Sequence, residues 1–117
     1  MKIRILVSLL FSITLLSFIP QQLLKTKMTI TVVDTNNKVV EGAEVNLFKT
    51  IDDFNNHNNP IPAAKRSNSK GIVKITKLDA ISYYVEVKKG DLSNMFTSEK
   101  TPVLDPKKAN KITITIE

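Results

Sequence analysis

The chain has 117 residues, 42% apolar and 24% charged, with a formal net charge of +6, a length that holds one domain and a short extra segment. Cysteine is absent and His57 is the single histidine, which excludes a disulfide framework, thiolate zinc sites and multi-histidine metal centres within one chain. The basic residues fall in isolated pairs, Lys65-Arg66, Lys88-Lys89 and Lys107-Lys108, rather than in clusters interleaved with aromatics, so no nucleic acid is expected as a partner.

The N-terminus reads as an export segment. Lys2 and Arg4 supply a positive start, and residues 5–19 form an apolar run broken by Ser8, Ser12, Thr14 and Ser17 and stopped by Pro20. These parts predict a signal peptide over residues 1–22. No Ala-x-Ala cleavage site follows, so an uncleaved signal anchor is the alternative, since residues 5–24 are long enough to cross a bilayer. Either way the basic end stays cytoplasmic and the remainder is translocated. The expected location is periplasmic or secreted, with membrane contact only through this segment if it is retained.

A linker over residues 23–27 precedes a β domain over 28–117. Met28, Ile30 and Val32 alternate with Thr29 and Thr31, the period of a half-buried strand. Residues 34–38, rich in Asp and Asn, predict a turn, and Ala43, Val45 and Leu47 alternate in a second strand. Residues 52–59 predict a polar loop closed by Pro60 and Pro62, with a short edge strand around 63–66. A turn over 67–71 leads to Val73 and Ile75. Tyr83, Val85 and Val87 mark the next strand, residues 94–98 a further one, and Ile112, Ile114 and Ile116 the last. The alternating sets are expected to face inward in an all-β, roughly seven-stranded Greek-key sandwich.

These pieces resemble the carboxypeptidase regulatory-like domains, whose fold is a transthyretin-like, Ig-like β-sandwich. The similarity lies in Ile30-Thr31-Val32-Val33-Asp34 with Gly42-Ala43-Glu44-Val45-Asn46-Leu47, in the turn Ser67-Asn68-Ser69-Lys70-Gly71, and in Leu78 followed by Tyr83-Tyr84-Val85-Glu86-Val87. Val40 stands where the family has a proline, and Ile81 or Ser82 where it has a glycine. The resemblance implies a structural or accessory module and brings no catalytic residues. The hydroxyisourate hydrolases of similar fold carry several histidines and a C-terminal Tyr-Arg-Gly-Ser, neither of which is present. In the collagen-adhesin repeats, also similar, a lysine and an asparagine form an isopeptide bond beside an acid. Lys27, Asn110 and Glu86 would fill those roles only in a shifted register, and no cross-link is expected.

The densest set of potential ligands is the 52–59 segment, in which Asp52, Asp53 and Asn55 are the candidate metal ligands. It fails as an EF-hand, because His57 takes the fifth position, Asn58 the place of the glycine and Ala64 that of the bidentate glutamate. His57 lacks a second histidine, a cysteine or a Gly-x-Ser-x-Gly elbow. Tyr83 and Tyr84 point to opposite faces, so one is expected in the core and the other exposed. No catalytic residue and no cofactor is expected. The function read from the sequence is a non-enzymatic exported module with a structural or binding role at the cell envelope, whose partner is an envelope or extracellular protein or a polysaccharide. The alternative is a small calcium-dependent binder or enzyme centred on residues 52–59.

Overall fold

The computed structural model describes residues 24–117, so the export segment read over residues 1–22 lies outside the described residues. In chain order the elements are β1 (Lys25–Val33), β2 (Glu44–Phe48), α1 (Ile51–Asn56), β3 (Ile61–Pro62), β4 (Ile72–Asp79), β5 (Tyr84–Lys89), β6 (Leu92–Ser93) and β7 (Asn110–Thr115). They form two facing sheets. Sheet A has the order β4-β1-β7 and sheet B the order β3-β2-β5-β6, which makes the domain an all-β sandwich of seven strands. β1 begins at Lys25, so its ladder takes up part of the stretch read as a linker.

β1 is the middle strand of sheet A. It pairs antiparallel with β4 and parallel with β7, so that Ile30 stands opposite both Val73 and Ile112. Met28, Ile30 and Val32 are fully buried, as the alternation predicts. Their partners across the sandwich are Val45, Leu47, Val85 and Val87, with Val73, Ile75, Leu78, Ile114 and Ile116 completing the core. Ile112, expected inside, is only partly buried against that core. β4 keeps Leu78 in the core through a β-bulge. Thr26 pairs with Leu78 and Met28 with Ile75, so Thr76 and Lys77 together oppose one residue of β1, and Lys77 takes φ 59°. The extra residue shifts the strand's phase, bringing Leu78 inward where strict alternation from Ile75 would turn it to solvent.

Two Asx-type turns set the strand entries. The Asp34 carboxylate accepts from the backbone N–H of Asn36 and Lys38, and the Asn68 side chain accepts from those of Lys70 and Ile72, the local bonding that makes Asp and Asn turn formers. Gly71 has φ +74°, and a Cβ there would lie 2.7 Å from the Val32 carbonyl oxygen. Only glycine fits that approach.

Several boundaries differ from the sequence reading. The edge strand falls on Ile61–Pro62 rather than 63–66, pairing with Asn46 and Leu47. The strand expected over 94–98 is confined to Leu92–Ser93. The cause is Asn94, whose buried amide accepts from the Val87 N–H at 2.8 Å and donates to the Val85 carbonyl at 2.8 Å. A side chain takes the ladder positions that a continuing strand would fill. Ser67, read as part of a turn, is likewise buried. Its hydroxyl accepts from the Ala43 N–H and donates to the Val40 carbonyl, both at 2.7 Å.

Candidate functional site

β2 and β5 are buried on both faces. Their inner residues enter the core, while Asn46, Phe48 and Glu86 on the outer face have relative exposures of 7%, 0% and 1%. The cover is α1, formed where the sequence predicts a polar loop. Thr50 caps it, its hydroxyl accepting from the Asp53 N–H at 3.1 Å with the backbone extended at φ −128°. Asp52 and Asp53 occupy the first turn, where a carboxylate is favoured by the unpaired N–H groups and the helix dipole. His57 ends the helix in the left-handed conformation, φ 56°. The many asparagines oppose a helix only weakly. The decisive residue is Phe54, 2% exposed, which packs edge-on against Phe48 at 5.7 Å and tilted against Tyr84 at 6.0 Å. A helix this short is held by such packing rather than by its own propensity.

Beside this aromatic cluster lies a buried polar one. Glu86 Oε1 accepts from Asn46 Nδ2 at 3.1 Å, and His57 Nε2 lies 3.0 Å from Oε1 and 2.8 Å from Oε2. Lys88 Nζ stands 3.6 Å from Oε1. Oε2 has no aligned donor of its own among the described residues. The carboxylate is inside while its charged partners reach it from the rim, with 46% of the His57 and 41% of the Lys88 side chain exposed. A buried carboxylate requires such partners. Here they tie the end of α1 to the sheet, and the His57 ring also packs edge-on against Phe48 at 5.4 Å.

The expected ligands do not converge. Asp52 and Asn55 are exposed on α1 and Asp53 is half-buried, and among the described residues no three His, Cys, Asp or Glu side chains are placed to hold a metal ion. Tyr83 is the core tyrosine. Its hydroxyl accepts from the Asp79 N–H and donates to the Asp79 carbonyl, closing the turn between β4 and β5, and burial pushes its phenol above the usual range despite the bond to Asp79. Tyr84 is half-buried rather than free, held between Phe54 and the Lys100 ammonium, which lies 5.3 Å above its ring.

No family model matches the chain, and no curated protein matches it in sequence. Solved structures do match. The Bacillus anthracis TIE protein aligns over 79% of the chain with a TM-score of 0.54 and 13% identity. BcpA, the major pilin subunit of Bacillus cereus, aligns over 80% with a TM-score of 0.51 and 19% identity, and the group B streptococcus pilus 2b backbone protein over 78% with 0.52 and 22%. The chain shares its fold with pilin domains. It spans 16%, 30% and 40% of those three chains, respectively.

Of the three residues weighed for an isopeptide bond, Lys27 and Asn110 are neighbours on sheet A, and Glu86 lies apart from them on sheet B. Lys27 is exposed on β1 of sheet A, and Glu86 is buried on β5 of sheet B. Asn110, at the start of β7, uses its amide to donate to the Lys27 and Asp105 carbonyls, each at 2.9 Å. Sequence reasoning named Glu86 as part of the Tyr83–Val87 resemblance and as the acid of an isopeptide bond, and missed its bonds to Asn46 and His57. No local signal marks it, because a glutamate between two core valines has the pattern of a solvent-facing strand residue. The sole cue was Phe48, an aromatic on the same nominally outward face.

Proposed function

We propose that this chain is a non-enzymatic structural module of an exported cell-surface protein, a β-sandwich that spaces or joins components of the envelope or of a pilus-like assembly. The observation that carries the reading is the two-sheet sandwich shared with pilin subunits. The pairing of the buried Glu86 carboxylate with the rim imidazole of His57 supports it, because the two fasten α1 to the sheet and, among the described residues, no hydroxyl is hydrogen-bonded to the imidazole. Residues 1–22 act as the export signal and 28–117 as the module, belonging with the carboxypeptidase regulatory-like sandwiches. Its partners are other envelope proteins or cell-wall polysaccharide.

Fractionation of cells producing the full chain, with mass spectrometry of the mature N-terminus, tests this. Recovery outside the cytoplasm is expected, either cleaved near residue 22 or held by residues 5–24, and an unprocessed cytoplasmic protein overturns it. Calcium should leave the melting temperature unchanged. A rise would bring back Asp52, Asp53 and Asn55 as a metal site.

A further inference from the structure

The outer face of sheet A is the reverse of that of sheet B: among the described residues no element covers it, and it is lined with lysine. Two contiguous hollows, of about 580 and 450 Å³, run across it and share Lys27, Thr76 and Ala109. Neither is lined by a carboxylate or an aromatic side chain. Thr29 of β1 stands opposite Lys74 of β4 on one side and Lys111 of β7 on the other, which sets those two lysines about 10 Å apart across the strands. Lys27 precedes Thr29 by two residues on the same face of β1, and Lys77, Lys107 and Lys108 line the end of the face. All six are exposed, and among the described residues none is in an ion pair. The nearby carboxylates are otherwise engaged, Asp79 by Lys25 and Lys49 and Asp105 by the Lys107 N–H.

Lysines often guard the open edge of a sheet. That explanation does not reach Lys27, which sits on the central strand, flanked by β4 and β7. Like charges gathered on one face repel and contribute nothing to folding. A ligand that neutralises them gains from each. We propose that the outer face of sheet A binds a linear, phosphate-bearing polyanion laid across the strands, with Lys27, Lys74 and Lys111 as its central contacts and the threonine hydroxyls between them as hydrogen-bond donors. The flat face lacks the stacking aromatics of a single-stranded nucleic-acid groove. Phe96, the most exposed aromatic among the described residues, lies in the loop after β6 of the other sheet, so among the described residues no aromatic side chain is placed to anchor this face in a bilayer.

The test is titration of the folded protein with sodium polyphosphate at low and at physiological salt, which does not depend on where the protein resides. Saturable binding that weakens steeply with salt is expected. The triple variant Lys27→Gln/Lys74→Gln/Lys111→Gln should lose affinity at least about tenfold and flatten the salt dependence, as loss of phosphate contacts requires. A variant with the same charge change elsewhere, Lys38→Gln/Lys89→Gln/Lys100→Gln, should lose less than about threefold, the part due to net charge alone. Should the first triple not fold, Lys74→Gln and Lys111→Gln taken singly carry the comparison. The proposal is overturned by no binding at low salt, by equal losses in the two triples, or by tighter binding to phosphatidylglycerol vesicles or duplex DNA than to polyphosphate.

Discussion

The two outer faces of this sandwich start from the same kind of sequence and end differently. On sheet A the outward positions include Lys27, Lys74 and Thr113, which remain in solvent, and Thr29 and Thr31 on the central strand, which are half-buried between their neighbours. On sheet B the corresponding positions of β2 and β5 include Asn46, Phe48 and Glu86, and a six-residue helix buries them. Period-2 alternation marks both as outward. What separates them is a connection long enough to fold back and one aromatic residue at each contact, which together turn a polar insertion into a lid on the sheet.

The largest effect expected from breaking that lid is at Phe54. Phe54→Ala should cost about 3–4 kcal/mol in urea unfolding, within the usual loss for truncating a buried phenylalanine, and should raise hydrogen exchange across residues 50–59. Glu86→Ala comes next. It removes the acceptor of the buried Asn46 amide and the anchor of His57, and a loss of about 2–3 kcal/mol in chemical denaturation follows from an unsatisfied buried donor plus a small cavity. Thr50→Ala should lower stability by about 1 kcal/mol through the lost cap, and circular dichroism of the variant should show no other change.

The open face supplies the small end of the comparison. Replacing Lys74 or Lys111 by Gln should change stability by no more than about 0.5 kcal/mol in thermal melts. A charge effect is still present at the rim of sheet A, where Asp79 meets Lys25 and Lys49. The hydrogen bond to Lys25, then that to Lys49, holds the Asp79 carboxyl below its usual 3.8, and the hydrogen bond to Asp79 holds Lys25 above its usual 10.5. The contribution of Asp79 is therefore present above pH 3.8 and is lost as pH falls below it, whereas that of Lys25 is present below pH 10.5 and is lost as pH rises above it. Melting curves of Asp79→Asn and the unchanged protein should run apart at neutral pH and converge in acid. Curves that stay parallel into acid would show the pair contributes nothing to folding.

Alternation of β-branched and apolar residues, turn-forming Asp34, Asn68 and Gly71, and the lack of any helical period were sufficient to predict a sandwich and nearly all of its inward residues. These features act over a few neighbours, and local sterics and backbone bonding fix them. The register change that brings Leu78 inward, the parallel pairing of β1 with β7, the strand-like bonding of the Asn94 side chain and the helix at residues 51–56 depend on groups far away in the chain. Glu86 is the clearest case, since its sequence environment is that of a surface residue and its burial exists only because Phe54 and His57, about 30 residues earlier, are folded over it. What the sequence by itself determined was which residues avoid water and where the chain turns. Which outer face is covered and which stays open to a ligand was decided by the tertiary structure, because that depends on whether a distant segment has an apolar side chain to bury there.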